Sequence, residues 1–363
     1  MPLHLDRFVD AVQTNCHISD ARHARNLTLC TYLLEMREFY RWEQGILPSA
    51  PLSRADVGAW LAGREALWET VEQAPYRPLP LPLTEGTSDP FDVRTINAAL
   101  VPHGLVYGAG VGRFGKPQFF LGALEREEWR NGIRVLVAGR EYARDLSPAP
   151  AALRDGTIYV RLESLQRWLW EKVEAWAQKR SDGALKCALD GYGFADGRNS
   201  ALAQMAAAEA ETLILHELGE HEAGRLLGPA WETMLSCLTR RRAELFARAA
   251  RDHLADCLVT LPALLEREAT ASVHFWFANL DGLRRERFPQ AADAYAAWCR
   301  GDRGHALRDA AASGVGHWHG VCARVMAMHA QRGAEAEAAI ETLSAAADTQ
   351  LRSGASPIPA RPQ

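Results

Sequence analysis

The hydrophobic pattern of this chain changes its period near residue 100 and changes back near residue 160. Four short apolar segments, each bounded by Gly or Asp-Gly, have the pattern of strands joined by tight turns. They cover residues 105–107, 118–121, 133–137 and 157–160. Before and after them, from 5 to 44 and from 162 to about 348, apolar residues recur at helical spacing. The sequence therefore predicts a mainly helical α+β protein, with a small antiparallel sheet in the first half and a helical bundle in the second.

Proline placement and the change of period suggest where the chain divides. The segment 46–92 is rich in proline, which ends helices and strands and is typical of a connecting region. We expect four parts: an N-terminal helical segment at 1–75, a β-rich region at 76–160, a helical bundle at 161–350 and a disordered tail at 351–363.

Composition excludes several classes of protein. The 363 residues carry a net charge of −4, which provides no basic field for nucleic acid. No apolar run is long enough to span a membrane, and the start of the chain lacks the pattern of a signal peptide, so we expect a cytoplasmic protein without a membrane partner. The seven cysteines are scattered without a CxxC pair, which argues against a disulfide framework or a thiolate zinc cage. We expect most of them to be small buried apolar residues.

Two segments contain residues of the kind found in ligand sites. Gly110–Lys116 has the glycine spacing of a phosphate loop, but Pro117 stands where a Ser or Thr would hold magnesium, and the strand pattern 118–121 follows instead of a helix. We therefore predict a hairpin turn there. Asp20 and His23 lie three residues apart in the N-terminal run 16–23, which we interpret as a cap with solvent-facing polar residues.

The segment 209–224 breaks the usual pattern of a helix. Its leucines and its isoleucine point in all directions, which predicts a helix that is buried on most sides. The same segment carries several carboxylates and two histidines. Buried groups of this kind require hydrogen bonds, ion pairs or a metal ion, because an unpaired buried charge costs several kcal/mol.

The segment His216-Glu-Leu-Gly-Glu-His221 resembles the HExxH helix of zinc metallopeptidases, the zincins, in which two histidines one turn apart bind zinc and the glutamate activates water. Here the second histidine is at i+5, so on a regular helix His216 and His221 differ by about 140°. A π-bulge would bring both onto one face. In the alternative, the helix is regular and the ligands are His216 and Glu220, with Glu209 two turns earlier on the same stripe.

A second acidic pair lies on the next long helix. Asp252 and Asp256 are spaced i, i+4 and therefore share a face. Some zincins take their third ligand from an ExxAD segment on the following helix, and residues 252–256 resemble that segment with Asp in place of Glu.

The leading hypothesis is a zinc-dependent hydrolase acting on a small molecule or a peptide through a variant HExxEH helix. The zinc ligands would be His216, His221 and either Asp252 or Glu220, with Glu217 as the general base.

Two alternatives use the same residues differently. In the first, a pair of iron or manganese ions oxidises an apolar small molecule, with ligands Glu209, His216, Glu220, Asp252 and Asp256. The Glu-x-x-His signature of ferritin-like proteins is absent, however. In the second, the protein is a non-catalytic helical binding protein, and nearby arginines such as Arg251 pair with the buried acids.

Overall fold

The computed structural model describes residues 5–81, 86–112 and 115–351. The chain forms two compact units. The first unit contains Met1–Glu174 and Arg198–Ala210, and the second contains Ala175–Gly197 and Glu211–Gln363. Helices dominate and a sheet lies in the first half, which confirms the predicted α+β class.

The first unit begins with four helices, of which the first two lie within 5–44, where the sequence predicted helices. They are α1 (Leu5–His23), α2 (Leu29–Glu43), α3 (Arg54–Val71) and α4 (Val93–Leu100). Three of them begin at a side-chain cap: Thr28, Ser53 and Asp92 each accept a hydrogen bond from the backbone N–H three residues later.

The strands form a two-stranded ribbon and a five-stranded sheet. The ribbon pairs β1 (Leu79–Pro80) with β2 (Thr87–Ser88), and the sheet contains β3 (Leu105–Val111), β4 (Pro117–Arg130), β5 (Ile133–Arg144), β6 (Ala151–Arg154) and β7 (Thr157–Arg161). The order in the larger sheet is β3-β4-β5-β7-β6. Asn131-Gly132 and Asp155-Gly156 make two of the turns, all four residues with positive φ, as a tight hairpin turn requires.

One strand pair differs from the predicted antiparallel arrangement. β5 and β7 are parallel, while the other neighbours in the sheet are antiparallel. The reason is β6, which the apolar pattern did not predict. The short connection between Arg144 and Ala151 turns the chain back, so β6 runs opposite to β5. The hairpin between β6 and β7 reverses the direction again, and β7 therefore runs parallel to β5.

The core of the first unit lies between α1 and this sheet. Phe8, Val12 and Cys16 of α1 are fully buried against Phe119 and Leu121 of β4. The sheet curls so that its two edge strands, β3 and β6, approach each other, and Arg154 of β6 donates a hydrogen bond to the carbonyl of Val111 on β3. The helix α5 (Leu162–Lys179) follows β7 directly.

The second unit is built of helices, and one of them, α7, begins in the first unit, to which Arg198–Ala210 belongs. They are α6 (Ala184–Gly191), α7 (Arg198–Leu227), α8 (Pro229–Cys237), α9 (Arg241–Ala255), α10 (Leu261–Glu266), α11 (Thr270–Asn279), α12 (Gly282–Arg287), α13 (Pro289–Cys299), α14 (His305–Arg332) and α15 (Ala336–Ala345). Trp231, Phe246, Phe288 and Trp318 are the largest apolar side chains buried in their core.

A π-helical turn, Asp256–Thr260, joins α9 to α10. The helical spacing predicted from 162 to about 348 does not show where helices end, and here the structure leaves 238–240 outside the helices and ends α9 at Ala255. Pro262 explains the wider turn: it has no N–H to donate to Leu258, and in a regular helix its ring would clash with the carbonyl of that residue.

The end of the described chain is ordered by contacts with α12 and α13. Leu351 is buried, its N–H donates to the carbonyl of Arg287, and its carbonyl accepts from the N–H of Gln290. The rest of the tail predicted to be disordered, 352–363, lies outside the described residues. Among the described helices, none is both long and apolar enough to cross a membrane.

Candidate metal centre

Two helices of the second unit, α7 and α9, approach closely at Gly219. A Cβ at this position would lie 2.5 Å from the carbonyl oxygen of Ala255, which is too close for any side chain. Glycine at the centre of the His216–His221 segment therefore permits helix packing at short distance. The carboxylates at the end of α9 are thereby brought next to the histidine of α7.

Three candidate ligands converge at this contact. His216 and Glu220 are one turn apart on α7, and the imidazole Nε2 is 3.5 Å from Glu220 Oε1. Asp252 of α9 completes a group in which one ligand atom from each residue lies within 4.8 Å of the others. All three side chains are partly exposed, at 24%, 21% and 24% of their surface for His216, Glu220 and Asp252. Water can therefore reach the group.

Asp256 contacts the other nitrogen of the imidazole. His216 Nδ1 lies 2.9 Å from Asp256 Oδ1, and Asp256 also accepts from the guanidinium of Arg284. Burial disfavours the imidazolium, but the carboxylates of Asp256 and Glu220 outweigh it and hold the pKa of His216 well above its usual range. Burial also disfavours the Asp256 carboxylate, yet His216 and Arg284 lower its pKa. Asp256 thus fixes the orientation of His216 and turns its Nε2 toward Glu220.

Arg251 contacts both remaining carboxylates. Its Nη2 donates to Glu220 Oε1 at 2.7 Å and lies 3.5 Å from Asp252 Oδ1. Burial opposes ionisation of Glu220, but His216 and Arg251 lower its pKa, whereas burial raises the pKa of Asp252. The cluster therefore has three carboxylates, two guanidinium groups and one imidazole, a balanced set whose charges can all be accommodated.

The other residues predicted for the site lie outside this group of three. The helix α7 is α-helical throughout Arg198–Leu227, so the π-bulge that would align His221 with His216 is absent from it, and the helix is regular, as the alternative with Glu220 assumed. A π-helical turn does occur nearby, but it begins at Asp256. Glu217 and Glu209 are buried and have partners of their own, and Glu209 belongs to the part of α7 in the first unit.

Sequence reasoning missed the role of Arg284. Nothing in the sequence signals its contact with Asp256, which lies 28 positions away. Arg251 was among the arginines expected to pair with buried acids, and the structure confirms that pairing for Glu220.

The glycine motif of the first unit is a packing feature, and the predicted hairpin is confirmed by the antiparallel pairing of β3 with β4. A Cβ at Gly110 would collide with the guanidinium of Arg154, and one at Gly112 would collide with the side-chain amide of Gln118. Asp20, by contrast, was wrongly predicted to face solvent: it is fully buried and bonds Lys116 Nζ at 2.6 Å.

Comparison with protein families gives two matches. The C-terminal domain of the Family of unknown function (DUF6866) matches residues 166–347, half of the chain, and the N-terminal domain of the same family matches residues 7–161. No curated protein and no solved structure matches the chain.

Proposed function

The chain belongs to the Family of unknown function (DUF6866), and because that description assigns no activity, we propose a function from the geometry of the candidate metal centre. The protein binds one divalent metal ion, zinc in the first instance, on His216, Glu220 and Asp252, and uses it to hydrolyse a small molecule or a peptide.

The convergence of three ligand atoms within 4.8 Å supports this proposal. Zinc is bound in proteins by imidazole nitrogen and carboxylate oxygen, and catalytic zinc sites take three protein ligands and leave a further position for water. His216, Glu220 and Asp252 supply one nitrogen and two oxygens, and their partial exposure leaves such a position open. Zinc bound in this way lowers the pKa of its water toward 7, which makes hydroxide available for hydrolysis.

Asp256 would act as a positioning residue for His216. Histidines that bind metals usually donate their second N–H to a carboxylate or carbonyl, which fixes the ring and raises its basicity. The 2.9 Å contact between His216 Nδ1 and Asp256 Oδ1 is of this kind. Asp256 therefore acts through His216 and does not itself bind the ion.

The donor set argues for one ion rather than a pair. Two carboxylates and an imidazole would also suit manganese or iron, so the identity of the metal is part of the test. A second ion would need Glu209 and Asp256 as well, but Asp256 is bonded to His216 and Arg284. The oxidase hypothesis is therefore less well supported than the hydrolase.

The guanidinium groups favour a second candidate, the non-catalytic helical binding protein. Arg251 already bonds Glu220, and Arg284 already bonds Asp256, so the acids are compensated without a metal ion. In this second function, the cluster of ion pairs stabilises the contact between α7 and α9. Zinc binding at the proposed site would require Arg251 to release Glu220.

Metal analysis decides between these candidates. Purified protein is stripped with a chelator, reloaded with zinc, manganese or iron, desalted and measured by elemental analysis. We expect about one zinc per chain, lost in His216→Ala and in Glu220→Gln, and retained in the matched control His221→Ala, which alters the other histidine of α7. About two iron or manganese ions per chain would support the oxidase, and no retained metal would support the ion-pair network.

Two further measurements test the chemistry. Asp256→Asn should lower zinc affinity about 10- to 100-fold without removing the ligands, because the imidazole loses its orienting carboxylate. The zinc-loaded protein should hydrolyse a chromogenic ester or a dye-labelled casein, and His216→Ala should not. Stoichiometric zinc without any turnover of esters or peptides would contradict the hydrolase.

A further inference from the structure

The first unit contains a cavity of about 530 Å³ that lies among α1, α2, α5 and the sheet. Cavities of roughly 300–1,000 Å³ are the usual size of small-molecule sites. Its lining includes Asp20 and Lys116, from the two segments that the sequence singled out separately. The fold thus brings both segments to one cavity, and both are distant in sequence from the candidate metal ligands.

One side of the cavity, which we call the acidic side, consists of Glu35, Arg167 and Glu171. Arg167 lies between the two glutamates: its Nη2 bonds Glu35, and its Nε donates to Glu171 Oε1 at 3.0 Å. Arg167 is only 12% exposed, and Glu171 is 36% exposed. Two carboxylates against one guanidinium leave this side with an excess of negative charge.

Another part of the lining, the basic side, consists of Asp20, Lys116 and Arg154. Lys116 Nζ lies 2.6 Å from Asp20 Oδ1 and 3.3 Å from Asp145 Oδ2. Arg154 donates to the carbonyl of Val111 and to the amide oxygen of Gln118.

The charges behind the basic side do not reverse its sign. Arg161 lies 3.6 Å from Asp145, which is itself fully buried, so Asp145 is shared between Lys116 and Arg161. Behind them Glu141 and Arg144 form a further pair. Glu163, which accepts from the N–H of Glu141, adds a third carboxylate behind the lining against the guanidinium groups of Arg144 and Arg161. The positive charge of the basic side therefore comes from the lining itself, where Lys116 and Arg154 face the single carboxylate of Asp20.

The rest of the lining includes apolar surface as well as neutral polar groups. Trp168 contributes an indole ring, and Leu27, Leu146 and Pro148 contribute aliphatic surface. A ligand that fills the cavity therefore meets negative charge, positive charge and apolar surface.

We propose that this cavity binds a small zwitterion with an apolar side group, of the size of an amino acid or a dipeptide. Its ammonium group would lie at the acidic side, near Glu171, and its carboxylate at the basic side, near Lys116 and Arg154. A single charge of either sign would satisfy only one side and leave the other to be desolvated without a partner.

Calorimetric titration with matched probes tests the proposal. The probes are L-phenylalanine and glycyl-phenylalanine, with N-acetyl-phenylalanine and phenylalanine amide as analogues that lack one of the two charges. We expect at least one zwitterion to bind and both singly charged analogues to bind about 10-fold more weakly or worse. Equal binding of a singly charged analogue, or no binding of either zwitterion at about 10 mM, would overturn the proposal.

A pair of variants on α5 locates the site. Glu171→Gln removes one charge from the acidic side, and we expect about a 10-fold loss of affinity for the zwitterions and little change for N-acetyl-phenylalanine. Glu174→Gln is the control, because Glu174 has nearly the same exposure, 35%, pairs with Arg37 and does not line the cavity. An equal loss in both variants would show that binding does not occur at this cavity. Circular dichroism checks that both variants remain folded.

Discussion

At the scale of single residues, the first unit buries a histidine that must stay neutral. His17 lies between Arg64, whose Nη1 is 2.6 Å from the imidazole Nε2, and Trp68, whose indole N–H points at Nδ1. Both neighbours can only donate hydrogen bonds, so a protonated imidazole would face two donors. Burial and the charge of Arg64 lower the pKa of His17 to about 3.

This pKa predicts a pH dependence of stability. Between pH 6.5 and about 3 the unfolded chain binds a proton at His17 that the folded chain does not, so the free energy of unfolding falls as the pH falls. The contribution is complete above pH 6.5 and decreases by about 1.4 kcal/mol per pH unit below it. Urea unfolding of the wild type and of His17→Asn at pH 7, 6, 5 and 4 measures it.

His17→Asn keeps a neutral acceptor for Arg64 and removes the titration. The difference in unfolding free energy between wild type and variant should therefore shift in favour of the variant as the pH falls from 6 to 4. Parallel curves for the two proteins over this range would mean that His17 is protonated in the folded state.

At the scale of helices, Gly219 controls how closely α7 and α9 pack. Gly219→Ala would place a methyl group against the backbone of Ala255, and because backbone cannot move aside cheaply, the helices must separate. We expect a loss of about 1–3 kcal/mol of stability and a weaker metal site, since Asp252 would move away from His216. Thermal unfolding and zinc titration measure the two effects.

Gly224→Ala is the matched control on the same helix. No atom lies within 4 Å of a Cβ at Gly224, and alanine is the better helix former. This variant should gain about 0.5–1 kcal/mol and bind zinc normally. A loss of stability there as large as in Gly219→Ala would refute the packing argument.

The elements also show how far a sequence predicts such a fold. The segment 209–224, predicted to be a helix buried on most sides, lies within α7 (Arg198–Leu227), because apolar periodicity and the absence of proline define this helix locally. β4 extends to Arg130, although the sequence indicated a strand only to 121. Its second half is highly charged, and the hydrogen bonds that keep it extended come from β5, which local periodicity does not report.

The candidate site was predictable to the same extent. The spacing i, i+4 was enough to pair His216 with Glu220, and a neighbouring acidic helix was enough to suggest Asp252. The spacing placed Asp256 on the face of Asp252 but did not show that it contacts Nδ1 of His216, and the contact of Arg284 with Asp256 comes from another helix. Asp20 was missed for the same reason, since Lys116 is 96 positions away.

At the scale of the whole molecule, the cysteines divide into two classes. Three of the seven are buried, Cys16, Cys257 and Cys322, and four are exposed, Cys30, Cys187, Cys237 and Cys299. The expectation that most would be buried was therefore wrong. Burial raises the pKa of Cys16 and of Cys257 well above the usual value, so neither offers a reactive thiolate.

A thiol titration tests this division for the folded protein. A colorimetric thiol reagent should modify four cysteines of the native chain rapidly and all seven after denaturation in guanidinium. Peptide mapping identifies which cysteines react first. Rapid modification of Cys257 in native protein would contradict the packing of the π-helical turn against α14, where its Sγ lies over Gly314.

The two outermost strands of the five-stranded sheet, β3 and β6, come close enough for one side chain to span them. Outer strands usually present unpaired backbone groups to which a strand of another chain can add. The guanidinium of Arg154 donates a hydrogen bond to the carbonyl of Val111, and Gly110, which has no side chain, leaves space for the guanidinium. We therefore expect Arg154, which belongs to β6, to hinder the addition of a strand from another chain at the edge formed by β3.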